Sequence, residues 1–243
     1  RIAVGGEWRG GGELPHAKQV DVAQGARLDA SARQRGDGGT VVVWSDGDTR
    51  FEGRIAARGG SAGGDGGQVE VSGRQRLGFD GDVIAAAGGT GGTGGRAGML
   101  LLDPQNLVID GSSGSTTLPG ADTPGDYTVR ASALNRQLVN GTSVTLQATQ
   151  ALTLTAGTVV DARATSGATP GAGLTLTAGR DIALNGLIIL TDGAFTATAG
   201  GRFTQAADGA VATGNGAIGV TAAGNLAASN LLTSGALTLR STA

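Results

Sequence analysis

Along most of this chain apolar and polar residues alternate in short runs, and the runs recur at regular steps. In Leu174-Thr175-Leu176-Thr177 the leucines fall on one side of an extended strand and the threonines on the other, because successive side chains of a strand point to opposite faces. Runs of the same kind at Gly39–Ser45, Gly67–Ser72 and Gly98–Asp103 lie about thirty residues apart. Phe51, Phe79 and Ile109 align in a second column, and Ile55 with Val83 or Ile84 in a third. Gly-rich stretches such as Gly59–Gly67 and Gly88–Gly98 close each unit. Past the middle of the chain the step shortens to about twenty residues. One column there holds Val144, Leu174, Phe195, Ile218 and Leu237, the next Leu152, Ile182, Phe203 and Leu226, the last Val159, Ile188, Val211 and Leu231. Units of this length with three short strands each predict an all-β parallel β-helix, a solenoid in which every strand pairs with its counterparts one coil away. About nine coils at ~4.8 Å each make a rod on the order of 40 Å long.

The pattern predicts three stretches: coils over 1–110, an excursion over 111–141, and shorter Ala/Thr-rich coils over 142–243. The excursion is too long for one corner and contains Pro119 and Pro124. Val129 to Val139, with Leu134 and Leu138 at helical spacing, predicts a short helix packed on the rod. If Val41/Val43, Val69/Val71 and Leu100/Leu102 point inward, then Val42, Trp44 and Leu101 point outward and need cover. Leu134 and Leu138 are the expected cover.

Composition supports an all-β chain with many turns. The 243 residues include 47 Gly, about one in five, and Gly in a helix interior costs roughly 1 kcal/mol relative to Ala. No three-residue Gly period and only 5 Pro exclude a collagen-like reading. The net charge is −2, so no nucleic acid is expected as a partner. Residues 1–110 hold 12 basic and 14 acidic residues and residues 111–243 only 6 of each. Cysteine is absent, which removes disulfides and thiolate metal sites. Neither a basic-then-apolar leader nor an apolar run near 18 residues is present, so no signal peptide and no membrane span are expected. Neither end reads as a cap, and the chain reads as a piece of something larger.

The first half also resembles a known family in its wording. Val4-Gly5-Gly6-Glu7-Trp8-Arg9-Gly10-Gly11, Gly36-Asp37-Gly38-Gly39-Thr40-Val41-Val42-Val43-Trp44-Ser45-Asp46-Gly47, Ala57-Arg58-Gly59-Gly60, Gly66-Gly67-Gln68-Val69-Glu70-Val71-Ser72-Gly73 and Leu100-Leu101-Leu102-Asp103-Pro104 resemble bacterial filamentous haemagglutinin-type exoproteins. The resemblance spans about residues 1–110. It implies a right-handed parallel β-helix, export through an outer-membrane two-partner transporter, an extracellular or bacterial cell-surface location, and adhesion or biofilm formation with a host-cell, matrix or polysaccharide receptor. The expected role is a structural shaft without catalysis or cofactor. Open coil ends are unpaired strand edges, which makes homo-association through them a further expectation.

Few residues stand out against that background. Arg35-Gly36-Asp37 spells the integrin-binding tripeptide, though Gly36 to Gly39 already belong to the family's turn wording. Gly63–Val69 is similar to the calcium-binding β-roll nonapeptide but carries Gln68 where that motif needs Asp. Gly88–Gly98 lacks the Lys-Ser/Thr of a phosphate loop and reads as a corner. A single His16, a single Lys18 and no Cys leave paired carboxylates, Asp46/Asp48 and Asp80/Asp82, as the residue supply for a polysaccharide-degrading enzyme. A carbohydrate- or ice-binding face is the other alternative. Thr145, Thr175 and Thr196 stack in one outward file, and Gln147 with Thr177, Thr198 and Thr221 in the next. Threonine also suits outward strand positions for its β-propensity alone.

Overall fold

The computed structural model describes residues 1–89, 95–111, 126–163 and 171–242. Among the described residues, twenty-five strands wind into a parallel β-helix with three faces. Face 1 is one continuous nine-stranded ladder: β1 (Ile2–Val4), β4 (Thr40–Ser45), β7 (Gln68–Gly73), β10 (Met99–Leu102), β13 (Ser143–Ala148), β16 (Leu174–Ala178), β19 (Phe195–Ala199), β22 (Ile218–Ala222) and β25 (Leu237–Ser241). Face 2 carries β2 (Gln19–Val22), β5 (Asp48–Phe51) and β8 (Arg76–Phe79), then β12 (Asp126–Arg130), β11 (Asn106–Asp110), β14 (Leu152–Leu154), β17 (Ile182–Leu184), β20 (Phe203–Gln205) and β23 (Leu226–Ala227). Face 3 has β3 (Arg27–Asp29), β6 (Arg54–Ala56) and β9 (Asp82–Ile84) on one side of helix α1 (Ala131–Val139). On its other side lie β15 (Val159–Ala162), β18 (Leu187–Leu190), β21 (Ala210–Thr213) and β24 (Asn230–Thr233).

The interior is the stack of aliphatic columns that the alternation demands. Val41, Val69, Leu100, Val144, Leu174 and Phe195 are in register and 0 % exposed. Phe51 and Phe79 stack on face 2 with ring centroids 5.7 Å apart. No coil can bury its own apolar edge, so each depends on the next. The last coil shows this: its inward Leu237 and Leu239 are 50 % and 47 % exposed.

Two sequence expectations change, and one open choice is decided. The third column runs through Val160, not Val159: Val160 pairs with Ile188 and is buried, while Val159 pairs with Leu187 and is 38 % exposed. Of the two alignments open to Ile55, the pairing with Val83 is the one formed. Phe79 and Ile109 are not neighbours, because β12 lies between β8 and β11 and sets Val129 beside Ile109. Residues 126–130 therefore belong to the rod. Pro119 and Pro124 lie outside the described residues.

Helix α1 is a rung of face 3, between β9 and β15. An α-helix is about 10 Å across, two strand spacings, and face 2 matches that height by carrying two strands there. The helix ends at Asn140-Gly141: Thr142 N donates to Gln137 O, Gly141 N donates to Leu138 O, and Gly141 has φ +77°. This is the double hydrogen bond of a Schellman stop. Leu134 and Leu138 are buried against the rod interior. They do not cover Val42, Trp44 and Leu101. Those residues are buried, but under the N-terminal segment.

Candidate functional site

Residues 5–12 fold over the outside of face 1 as a flap. A single 3-10 turn at Trp8–Gly10 rests on β4 and β7. Gly10 (φ +63°) faces the Trp44 indole so closely that a Cβ there would overlap the ring. Glu7 braces the flap, pairing with Arg1 and accepting a hydrogen bond from Glu13 N at 2.9 Å. Arg9 has φ +55°, the one positive value outside glycine among the described residues. In that strained conformation its backbone N–H donates to Glu70 Oε2 at 2.7 Å, while its guanidinium donates to Gln147 Oε1 at 3.0 Å. Arg9 thus crosses the rung carrying Leu101.

Beside the flap opens a cleft of ≈ 430 Å³ lined by Arg9, His16, Trp44, Arg74, Asp103 and Gln105 among others. His16 and Arg74 both approach Asp46, at 3.5 and 3.7 Å. Glu70 is fully buried and Asp103 half-buried; burial pushes both carboxyls up from their ordinary range. In sequence Glu70 looks like any outward strand residue. Its file, Val42-Glu70-Leu101, was the available signal, since it sets a carboxylate between two apolar side chains that need cover.

The Thr files stand in the register expected. Thr145, Thr175 and Thr196 are successive partners, as are Gln147, Thr177, Thr198 and Thr221. Thr196 and Thr198 are exposed and the other four threonines half-buried. Gly219 and Arg240 occupy the file positions beside Thr196 and Thr221. These files begin where the flap ends, at Gln147, so face 1 has a covered first half and an open, threonine-rich second half.

Arg35, Gly36 and Asp37 lie exposed on a turn. Asp37 is engaged structurally: its Oδ1 accepts a hydrogen bond from Asp65 N at 2.7 Å, one coil on. Asp37→Ala is therefore expected to lower stability by about 1 kcal/mol, read as a lower urea midpoint, independently of any effect on cell attachment. In the Gly63–Val69 stretch, Asp65 binds Arg96, whose backbone N–H holds its carboxyl below the usual range. Of Gly88–Gly98, residues 90–94 lie outside the described residues. The carboxylate pairs are tied up with arginines: Asp46 faces His16 and Arg74, Asp48 pairs with Arg76, Asp80 with Arg130 and Arg136, and Asp82 with Arg136 and Arg54. Among the described residues no group of three or more His, Asp or Glu is gathered for a metal, and no helix is long and apolar enough to cross a membrane. No protein-family model matches the chain, and a search of curated proteins finds no relative.

Proposed function

We propose that this chain is a rigid shaft segment of a large secreted bacterial surface adhesin of the filamentous haemagglutinin type. The observation that carries the reading is the unbroken nine-stranded ladder of face 1 over a continuous aliphatic interior, an architecture whose length scales with coil number. The family-like wording of residues 1–110 supplies the rest: export through an outer-membrane two-partner transporter, an extracellular location, and a role in presenting receptor-binding regions during adhesion or biofilm growth. The shaft works mechanically, without cofactor or active site. Antibody raised against this segment should label intact producing cells, and the label should vanish when the transporter gene is deleted. A protein retained inside the cell in both strains overturns the reading.

A second reading is favoured by the in-register Thr files on the open half of face 1. A flat rank of threonines repeating at about 4.8 Å offers a regular lattice to ice or to a crystalline polysaccharide. Thermal hysteresis, or cosedimentation with insoluble polysaccharide that Thr177→Lys/Thr198→Lys abolishes, is the expected result of that reading; neither effect in the wild-type chain removes it.

A further inference from the structure

Three buried polar atoms without a hydrogen-bond partner meet under the flap: Glu70 Oε1, Ser72 Oγ and Asp103 Oδ1. Glu70 and Ser72 are outward residues of the same strand, 0 % and 2 % exposed. Glu70 pairs with Leu101, two residues before Asp103, which follows directly on the end of β10 at Leu102. Buried polar groups in folded proteins are nearly always satisfied, and a cluster of exceptions calls for a specific explanation. The Ser72 hydroxyl can turn its proton toward the Glu70 carboxylate, whereas the two carboxylates, when ionised, only accept. The Arg9 N–H reaches only Glu70 Oε2, and the Arg9 guanidinium is turned to Gln147. The other cationic groups of the cleft, His16 and Arg74, are drawn to Asp46. Among the described residues neither Glu70 nor Asp103 makes an ion pair; burial opposes ionisation of both, the charge of Asp103 adds to that cost at Glu70, and the charge of Arg9 offsets only part of it.

We propose that Glu70, Ser72 and Asp103 form a binding site for a hard divalent cation, Ca²⁺, entered through the cleft that Asp103 lines. The donor set is all oxygen, without the nitrogen or sulfur that selects zinc or copper. Ca²⁺ accepts six to eight oxygens in loose geometry; the protein supplies three and the open cleft leaves room for water to supply the others. With two carboxylates the site belongs to the weak, extracellular class, with Kd about 10⁻⁴–10⁻³ M. A bound ion neutralises the two carboxylates and clamps β7 to the end of β10 beneath the flap, while Glu70 Oε2 keeps its bond to Arg9. The site stands on these side chains alone and does not depend on the adhesin reading.

The chain's two tryptophans make the test direct. Trp8 is in the flap, and Trp44 is the ladder partner of Ser72, so a terbium ion in the site is excited through indole. The EDTA-treated chain, titrated with TbCl₃, should give saturable sensitised emission that Ca²⁺ displaces, and millimolar CaCl₂ should raise its Tm. Glu70→Gln and Asp103→Asn should lose both responses, whereas Asp46→Asn should keep them. Should the first two variants fail to fold, Trp44→Phe decides the matter. The expected result is loss of most of the emission with the Ca²⁺-dependent rise in Tm retained, and undiminished emission places the ion elsewhere and overturns the proposal. Absence of saturable emission in the wild type also overturns it, as does a Tm that responds to pH but not to Ca²⁺, which assigns Glu70 and Asp103 a shared proton instead.

Discussion

Leu176→Ala is expected to destabilise the chain by about 2–5 kcal/mol, and Thr175→Ala, one residue away, by no more than ~1 kcal/mol. Leu176 is 0 % exposed and sits in the interior column between Leu146 and Ala197. Ala197 is already short, so the coil above has little side chain with which to fill the hole, and the effect belongs toward the upper end of that range. Thr175 points outward in the file of Thr145 and Thr196, where its loss removes only cross-strand contacts on a half-exposed face. Urea unfolding followed by far-UV circular dichroism compares the two. Because solenoid stability is a sum of nearest-neighbour terms, hydrogen exchange in Leu176→Ala should speed up first in β13, β16 and β19. Equal losses in the two variants would contradict an interior column as the source of stability.

The alternation that makes Leu176 predictable is also why most of the fold was legible. Every run with a clear period of two, such as Leu174-Thr175-Leu176, carries its register in the sequence. Legibility fails where that signal is flat. Val159-Val160 offers two β-branched residues in a row, so only the neighbouring rung, Leu187 and Ile188, decides which one turns inward. Tyr127-Thr128-Val129 alternates like a strand and then runs without a break into a helical spacing. The rod takes the first part as β12 and the second as α1, a division that the apolar positions alone do not mark. The flap is the extreme case. Gly5-Gly6-Glu7-Trp8-Arg9-Gly10 has no periodicity, and its partners Val42, Trp44, Glu70 and Leu101 come together only after coils 2 to 4 have stacked. The need for cover on face 1 was readable; which segment supplies it was not, because a glycine-rich stretch can approach a ring more closely than the longer side chains of α1. The Glu70, Ser72 and Asp103 cluster was hidden for the same reason.

Gln137→Leu is expected to cost about 3 kcal/mol, two unmet buried backbone groups at ~1–3 kcal/mol each less the gain from burying an apolar side chain of similar size. A helix cannot offer its backbone to a neighbouring strand, so placing α1 as a rung leaves the edges of β9 and β15 without ladder partners. Side chains replace them. Gln137, 0 % exposed, accepts from Val83 N at 2.7 Å and donates to Gly81 O at 3.1 Å. Thr142 accepts from Ala85 N at 2.9 Å and donates to Val83 O at 3.2 Å. On the other side Asn135 Oδ1 accepts from Asp161 N at 2.9 Å. The carboxamide of Gln137 thus acts as a surrogate peptide group, donor and acceptor both, which a leucine of similar volume lacks. Gln137→Glu separates the two functions: it keeps an acceptor for Val83 N but turns an oxygen toward the carbonyls of Gly81 and Ala133, and it should be at least as damaging at neutral pH as Gln137→Leu. Because burial favours the neutral acid, and a protonated carboxyl restores one donor, part of that loss should return as pH falls through the raised pKa of the new carboxyl. Urea midpoints measured at pH 7 and pH 5, with exchange of the Val83 amide as the local readout, check both variants. A wild-type midpoint and a still-protected Val83 amide in Gln137→Leu would show that the edge of β9 is satisfied without the helix.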